Sequence, residues 1–439
     1  MNWRLSAGVR MGPMGGGLGH VAGTCIVASF LHSTTAEVNV EVAAARLLQA
    51  ECPDLRENRE DVQSLWHGLA AASLEAQTLV YTDPTGALRT QLHLLGALLD
   101  SYAPAVLHVC PGSLMRYFKR AGDAAVAAGD AARCRYLLQW GTTYRLMAVS
   151  RWYLRITSNP AWNRDTLPPE ALNFDPEYQG SYDLALQKLQ AAFGVQARPL
   201  QAMAEAAAGA VEVLAVCLYE DPRLPDMAAR NHRRYCQHHG YSYNLMREVP
   251  PGGWEHLQAQ GLPREPHYWK IQQTLELLEK PGGPEWVLVV DCDAFFTNAS
   301  VGILDIAATY GPAALFFVAE DSAGINTGVL LFRRHEWTRG FLRRVLRSPF
   351  VQIWDQSQYL WELLQEYGTF NLEAPVRVPS HIAPVHQSHL NAYHQGTAES
   401  WNAYAWQPGD YIIHYAGCPW DMAPCWEKMQ VSAGILESQ

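Results

Sequence analysis

The stretch Trp286 to Asn298, Trp-Val-Leu-Val-Val-Asp-Cys-Asp-Ala-Phe-Phe-Thr-Asn, constrains the fold more than any other part of the chain. Val287 to Val290 is an unbroken aliphatic run bounded upstream by Pro281, Gly282, Gly283 and Pro284, the pattern of a short strand buried on both faces. Strand side chains alternate. Asp291 and Asp293 therefore project to one side where the strand runs out, while Cys292 turns the other way into packing. Acids at the carboxyl end of a central α/β strand stand where such sheets bind ligands. Two carboxylates on one face repel unless a cation or a proton lies between them. A hard divalent ion that completes its shell with phosphate oxygens is the usual answer, so the pair implies magnesium or manganese and a diphosphate.

The sequence after residue 210 alternates between strand and helix. Val211 to Tyr219 reads as a strand ended by Glu220-Asp221-Pro222, and Pro225 to His239 as a helix stopped by Gly240. Tyr241 to Met246, Ala313 to Val318 and Val329 to Phe332 read as further strands, and Tyr268 to Lys280 as a helix. The expected fold class over 211–439 is α/β, a mostly parallel sheet with helices on both faces.

Upstream the periodicity is helical. Val62, Leu65, Trp66 and Leu69 form one stripe and Leu92, Leu95, Leu99 and Tyr102 another, with Tyr81 to Gly86 as the turn between them. A third helical stretch runs from Ser113 through Leu137 with a break near Gly129. Thr157 to Gly180, with four prolines among its aromatics, reads as an ordered connecting loop, followed by a helix near Tyr182 to Phe193. Residues 36–210 are thus expected to form a mainly helical accessory domain and connecting loop, a candidate docking unit for a protein partner. Residues 1–35, glycine-rich at Gly15, Gly16, Gly17 and Gly19, are read as a flexible N-terminus or a signal segment.

Composition excludes several classes. A formal net charge of -10 and the absence of any run of five Lys or Arg argue against nucleic acid as a partner. No run of eighteen apolar residues occurs, so no clear transmembrane helix is expected. Nine cysteines without a Cys-x-x-Cys pair argue against a zinc site. Cys418 and Cys425 are close enough to bridge a loop in an oxidising compartment. His381, His386 and His389 lie in a Pro-containing loop and are read as loop histidines, not ligands.

Single residues leave alternatives open at this level. Lys270 opens a helix aimed at the Asp291 strand and is either a phosphate-binding point charge or a solvated lysine. Asn326 precedes Gly328, which permits close backbone approach; its amide either meets a donor sugar or marks a β-turn. Asp355 is either a helix cap with Tyr359, Leu360 and Leu363 behind it or a functional acid beside Gln356. His414, after Tyr411-Ile412-Ile413, is either a core histidine or a metal ligand.

Several motifs then fall in one order. Tyr235 to Tyr241 (Tyr-x-x-x-x-Gly-Tyr), His267-Tyr268-Trp269-Lys270, Asp291-Cys292-Asp293, Asn326-Thr327-Gly328 with Leu331 and Arg333, Asp355-Gln356-Ser357, Leu390-Asn391-Ala392-Tyr393 and His414-Tyr415-Ala416-Gly417-Cys418 together resemble glycosyltransferase family 34. These are the galactosyl-, xylosyl- and mannosyltransferases of the GT-A fold. Aspartyl-phosphate phosphatases also carry Asp-x-Asp after a buried strand, but Phe295 stands where they have Thr or Val. The resemblance covers about 210 residues, not 1–210, where such proteins have a tail, a membrane anchor and a stem.

The resemblance implies a metal-dependent retaining glycosyltransferase that moves galactose or xylose from a UDP-sugar to a hydroxyl of an oligosaccharide, polysaccharide or glycoconjugate. Its alternatives are a GDP-mannose-dependent mannosyltransferase of the same family and a non-catalytic scaffold subunit of the same fold. It implies manganese, or magnesium, held by Asp291, Asp293 and His414. Lys270, Gly328 and Gly417 join those three around the donor, and Asp355, Gln356 and Asn326 take the catalytic positions. A Golgi or secretory-pathway lumen is the implied location.

Overall fold

A computed structural model describes residues 71–109, 111–141, 200, 210–260, 266–320, 324–348, 355–367, 376, 378–401, 403–418 and 425–438. The expected N-terminal segment 1–35, the Val62 stripe, the 157–180 loop, the helix near 182–193 and residues 201–209 before the boundary lie outside those residues, as do the side chains of Leu99 and Tyr102.

Strand β1 (Val211–Val216), β2 (Ser242–Met246), β3 (Trp286–Asp291), β5 (Phe316–Ala319), β6 (Asn326–Arg333) and β7 (Ile382–Val385) form one sheet in the order β2-β1-β3-β6-β5-β7. β1 runs parallel to β2 and β3, and β5 parallel to β7, while β6 is antiparallel to both its neighbours. That reversed strand matters for the site. Val290 pairs with Val329, so the first residues of β6 lie at the carboxyl edge of β3, where Asp291 ends the strand. Short β4 (Ala294–Phe296), β8 (Ala392–Tyr393) and β9 (Ile412–His414) make a second sheet in the order β4-β9-β8.

The double-sided burial expected of β3 is present. Val287 and Val289 pack with Leu214, Leu330 and Phe332 on one face, while Trp286, Leu288 and Val290 pack with Val213, Val329 and Leu331 on the other. Helices Pro266–Glu279, Glu336–Arg347 and Asp355–Tyr367 cover the first face through Ile271, Phe341 and Tyr359. Helices Arg223–His239 and Ile303–Tyr310 cover the second through Tyr235 and Ile306. Gly240 ends the first of these with φ 68°, a left-handed stop that a side chain would strain.

In the N-terminal part, helices Pro84–Val109 and Pro111–Ala127 are followed by a helical stretch over 131–141, with Gly129 (φ 77°) at the expected break. The turn is shorter than its sequence suggests. Asp83 Oδ1 accepts the Gly86 N–H at 2.9 Å, so Pro84 opens the helix at a position where its missing N–H costs nothing. Tyr136, from the stretch over 131–141, lies in the same core as Val216, Val289 and Tyr359. Among the described residues no helix is long and apolar enough to cross a membrane.

Candidate active site

Asp291 and Asp293 stand on either side of the turn that leaves β3, and the pairing of the next strand brings their third partner. β4 begins directly after the acids and pairs antiparallel with β9 in a register that sets Ala294 opposite His414. The Tyr415 N–H closes the same ladder on Asp293 O at 2.9 Å. A histidine far along the chain is thereby placed beside the acids. One ligand atom from each of Asp291, Asp293 and His414 lies within 4.8 Å of the others.

The frame of β4 comes from the helix Arg223–His239. Asn231 clamps Phe296 with its Nδ2 on the carbonyl (2.9 Å) and its Oδ1 on the N–H (2.8 Å). His232 Nε2 meets Ala294 O at 2.7 Å; a carbonyl only accepts, so this nitrogen carries the proton. Burial pushes the His232 pKa down to about 4, against the smaller pull of that carbonyl.

The tautomer of His414 follows from a chain of hydrogen bonds that starts at the backbone. The Gly328 N–H donates to Asn326 Oδ1 at 2.7 Å, which fixes the Asn326 amide and leaves its Nδ2 to donate to the Tyr393 hydroxyl. Asn391 Nδ2 donates to the same Asn326 oxygen, so Asn391 turns its own oxygen to His414 Nδ1 at 2.9 Å. Nδ1 therefore bears hydrogen, and in the neutral ring the Nε2 lone pair points at Asp293 Oδ1, 3.4 Å away. Gly328 makes this approach feasible: a Cβ there would collide with the His414 imidazole.

Beside this triad lies a second polar cluster. Lys270 is buried, and its ammonium reaches Asp291 Oδ1 at 2.9 Å, Asp355 Oδ2 at 3.2 Å and Thr327 O at 3.0 Å. Two of its protons go to Asp291 Oδ1 and Thr327 O, while Asp355 is held as an ion pair. Burial works against that charge, but Asp291 and then Asp355 outweigh it and hold the lysine above its ordinary range. Thr327 Oγ1 donates to Asp355 Oδ1 at 3.0 Å.

Electrostatics mark the triad as short of positive charge. Burial raises the Asp291 pKa, Lys270 opposes it and Asp293 adds to it. Burial lowers that of His414, but Asp293 and then Asp291 more than offset it, so the net shift is upward. Two carboxylates and one imidazole, with Nε2 aimed inward, form a set that could hold a divalent metal ion.

The structure thus gathers Lys270, Asp291, Asp293, Asn326, Gly328, Asp355 and His414 at one edge of the sheet. Some of them hold different contacts from those the sequence suggests. Lys270 is neither solvated nor open to a phosphate; it is the buried counter-ion of two acids. Asn326 spends its amide on Gly328, Asn391 and Tyr393, an orienting role. Asp355 turns its carboxylate to Lys270 and Thr327, and Gln356 follows it, half-buried, in the first turn of that helix. Gly417 serves the turn after Tyr415, with φ 84°.

Sequence reasoning missed two features. Asn391 was visible as part of a motif, yet nothing local shows that it orients His414. Cys292, expected in simple packing, forms a disulfide with Cys217 just beyond β1, while Cys418 and Cys425 form another among the described residues. Cys217 and Cys292 are 75 residues apart, so their pairing needs the register of β1 on β3 to be known.

Residues 305–425, which contain Asn326, Asp355, Asn391 and His414, match the family model of the galactosyl transferase GMA12/MNN10 family. This stretch is thus similar to glycosyltransferase family 34, as the motif order suggests. Two relatives from Schizosaccharomyces pombe carry related names. A probable alpha-1,2-galactosyltransferase, gmh2, is 24% identical over 219 residues, 42% of this chain and 60% of its own length. An alpha-1,2-galactosyltransferase is 23% identical over 246 residues, 48% of this chain and 60% of its own length. The chain thus spans 60% of the length of these relatives. A crystal structure of a glycosyltransferase involved in the glycosylation of the major capsid of PBCV-1 aligns at TM-score 0.36 and 19% identity, over 51% of this chain and 99% of that one.

Proposed function

We propose that this protein is a retaining glycosyltransferase that transfers a hexose or pentose, galactose or xylose first, from a UDP-sugar to a hydroxyl of a glycan. The observation that carries the reading is the convergence of Asp291, Asp293 and an Nε2-directed His414 at the carboxyl edge of the sheet. The names of the Schizosaccharomyces pombe relatives favour galactose as the sugar.

Asp291, Asp293 and His414 would hold the divalent ion, which when bound supplies Lewis acidity for the leaving diphosphate. The protein's own groups do the rest. Asn391 keeps the Nε2 lone pair of His414 turned to the acids. Lys270 holds Asp355 and Asp291 in fixed relation, so that Asp355 and Gln356 flank the sugar end of the donor while the acids face the diphosphate end. Tyr219, partly exposed just after β1, offers a flat face to the nucleobase beside the same acids. Both disulfides suit an oxidising lumen such as the secretory pathway.

The test is a donor comparison. Purified protein with manganese is given UDP-galactose, UDP-xylose or GDP-mannose and an oligosaccharide acceptor, and released nucleotide and product anomer are measured. Retained configuration with a UDP-sugar is the expected result. Turnover confined to GDP-mannose would move the assignment to mannose transfer, and no turnover with any donor would count against catalysis.

A further inference from the structure

Outside residues 305–425 the chain still reaches the site. Arg135, in the helical stretch over 131–141, donates through Nε to Glu320 Oε1 at 2.6 Å, and Gln139 Nε2 donates to the same oxygen at 3.3 Å. Both charged side chains are less than a tenth exposed. Tyr367, at the end of the Asp355 helix, hydrogen-bonds Gln139, and Trp140 meets Trp361 of that helix edge-on with ring centroids 5.7 Å apart. A buried ion pair contributes little net stability because desolvation offsets its attraction. Its location says more than its energy.

Glu320 directly follows Ala319, the register partner of Asn326. The ladder is irregular there: Val318 pairs with Leu330, but the next residue, Ala319, pairs with Asn326. In a regular antiparallel pair one step along a strand moves the partner by one residue. The sheet alone therefore does not fix Asn326, although Asn326 orients Asn391 and, through it, His414.

We propose that Arg135 is a positioning residue of the transfer site, pinning through Glu320 the strand end against which Asn326 is seated. This rests on the reading of the site as a donor-binding centre. It also makes the stretch over 131–141 part of the catalytic body rather than a detachable accessory.

The test is amide hydrogen exchange on the full chain for wild type, Arg135→Met, Arg135→Lys and the double variant Arg135→Met/Glu320→Gln. The double variant leaves no orphaned carboxylate, so it carries the measurement if the single variant does not fold. The Gly328 amide, bonded to Asn326 Oδ1, is the reporter. Exchange at Asn326 to Gly328 should rise by about tenfold in Arg135→Met and the double variant, with partial protection restored in Arg135→Lys and no change in β1 and β3. Unchanged rates at those amides, or equal acceleration throughout the sheet, would overturn the proposal. In transfer assays Arg135→Met combined with Asn326→Ala should lose no more than the worse single variant, and additive losses would overturn it. A wild type inactive in transfer but showing the exchange pattern would count against the transferase reading alone.

Discussion

On one side of Asp291, the Lys270 ammonium bridges to Asp355 with 2.9 and 3.2 Å contacts; on the other, Asp293 faces the His414 imidazole at 3.4 Å. The two clusters share an acid and are otherwise built differently. The first carries its own permanent cation, the buried Lys270, which is in place between its two acids as soon as the chain folds. The second offers two carboxylates to a ring whose charge depends on a proton. Among the described residues Lys270 is the permanent cation paired with Asp291 and Asp355, while Asp293 faces the His414 ring, and a group of acids of that kind stays ionised most easily when another positive charge joins it. On the proposed reading, one region completes the fold and its neighbour is completed by a ligand.

Removing an acid from the second cluster should have the largest effect. Asp293→Asn is expected to cut transfer on the order of a thousandfold, several kcal/mol of barrier, while leaving the unfolding midpoint of the metal-free protein unchanged or raised. A variant that keeps full manganese-dependent turnover would break the comparison. Lys270→Met should do the reverse and act on the fold. It strands the buried carboxylate of Asp355 beside the partly exposed one of Asp291 and is expected to cost about 3 kcal/mol in denaturant unfolding, with part recovered in Lys270→Met/Asp355→Asn. A loss below about 1 kcal/mol would show that the lysine is not the structural cation.

The frame around the acids should show itself in pH dependence. His232 has its pKa pushed down to about 4 by burial, from an ordinary 6.5. The unfolded chain therefore takes up the proton first as pH falls. Stability from the neutral ring is complete above about 6.5 and lost progressively toward pH 4, up to about 3 kcal/mol. Unfolding curves for wild type and His232→Gln should diverge above pH 6.5 and converge near pH 4; parallel curves would contradict the assignment. The smallest effect belongs to Asn391→Ala. It removes the acceptor from His414 Nδ1 and should weaken manganese binding by about 10–100-fold without a change in the residues that touch the ion.

Much of the second cluster was legible in the sequence, and most of the first was not. An aliphatic run ending in Asp291-Cys292-Asp293 announces its own location, because periodicity and the alternation of strand side chains are local properties. His414 needed the motif around it, since the β4–β9 register that brings it to Asp293 cannot be inferred from either short strand alone. Lys270 reads locally as an exposed helix-start lysine; its burial comes from partners on β3 and on the Asp355 helix, which only the tertiary fold supplies. The same holds for Cys217 with Cys292 and for Arg135 with Glu320, whose separations leave no periodic trace. The alternation of elements gave a mostly parallel sheet, but not the reversal of β6 that carries Asn326 to the edge where Asp291 ends.

Thermal unfolding of the wild type and Asp291→Asn/Asp293→Asn proteins with UDP, each with and without manganese, tests the incomplete charge of the second cluster most directly. UDP at about 100 times its dissociation constant should stabilise the wild type by about 2.7 kcal/mol when manganese is present, much less without the metal, and not at all in the variant. A shift of equal size without manganese, or one that survives in the variant, would contradict a metal-completed site at Asp291, Asp293 and His414.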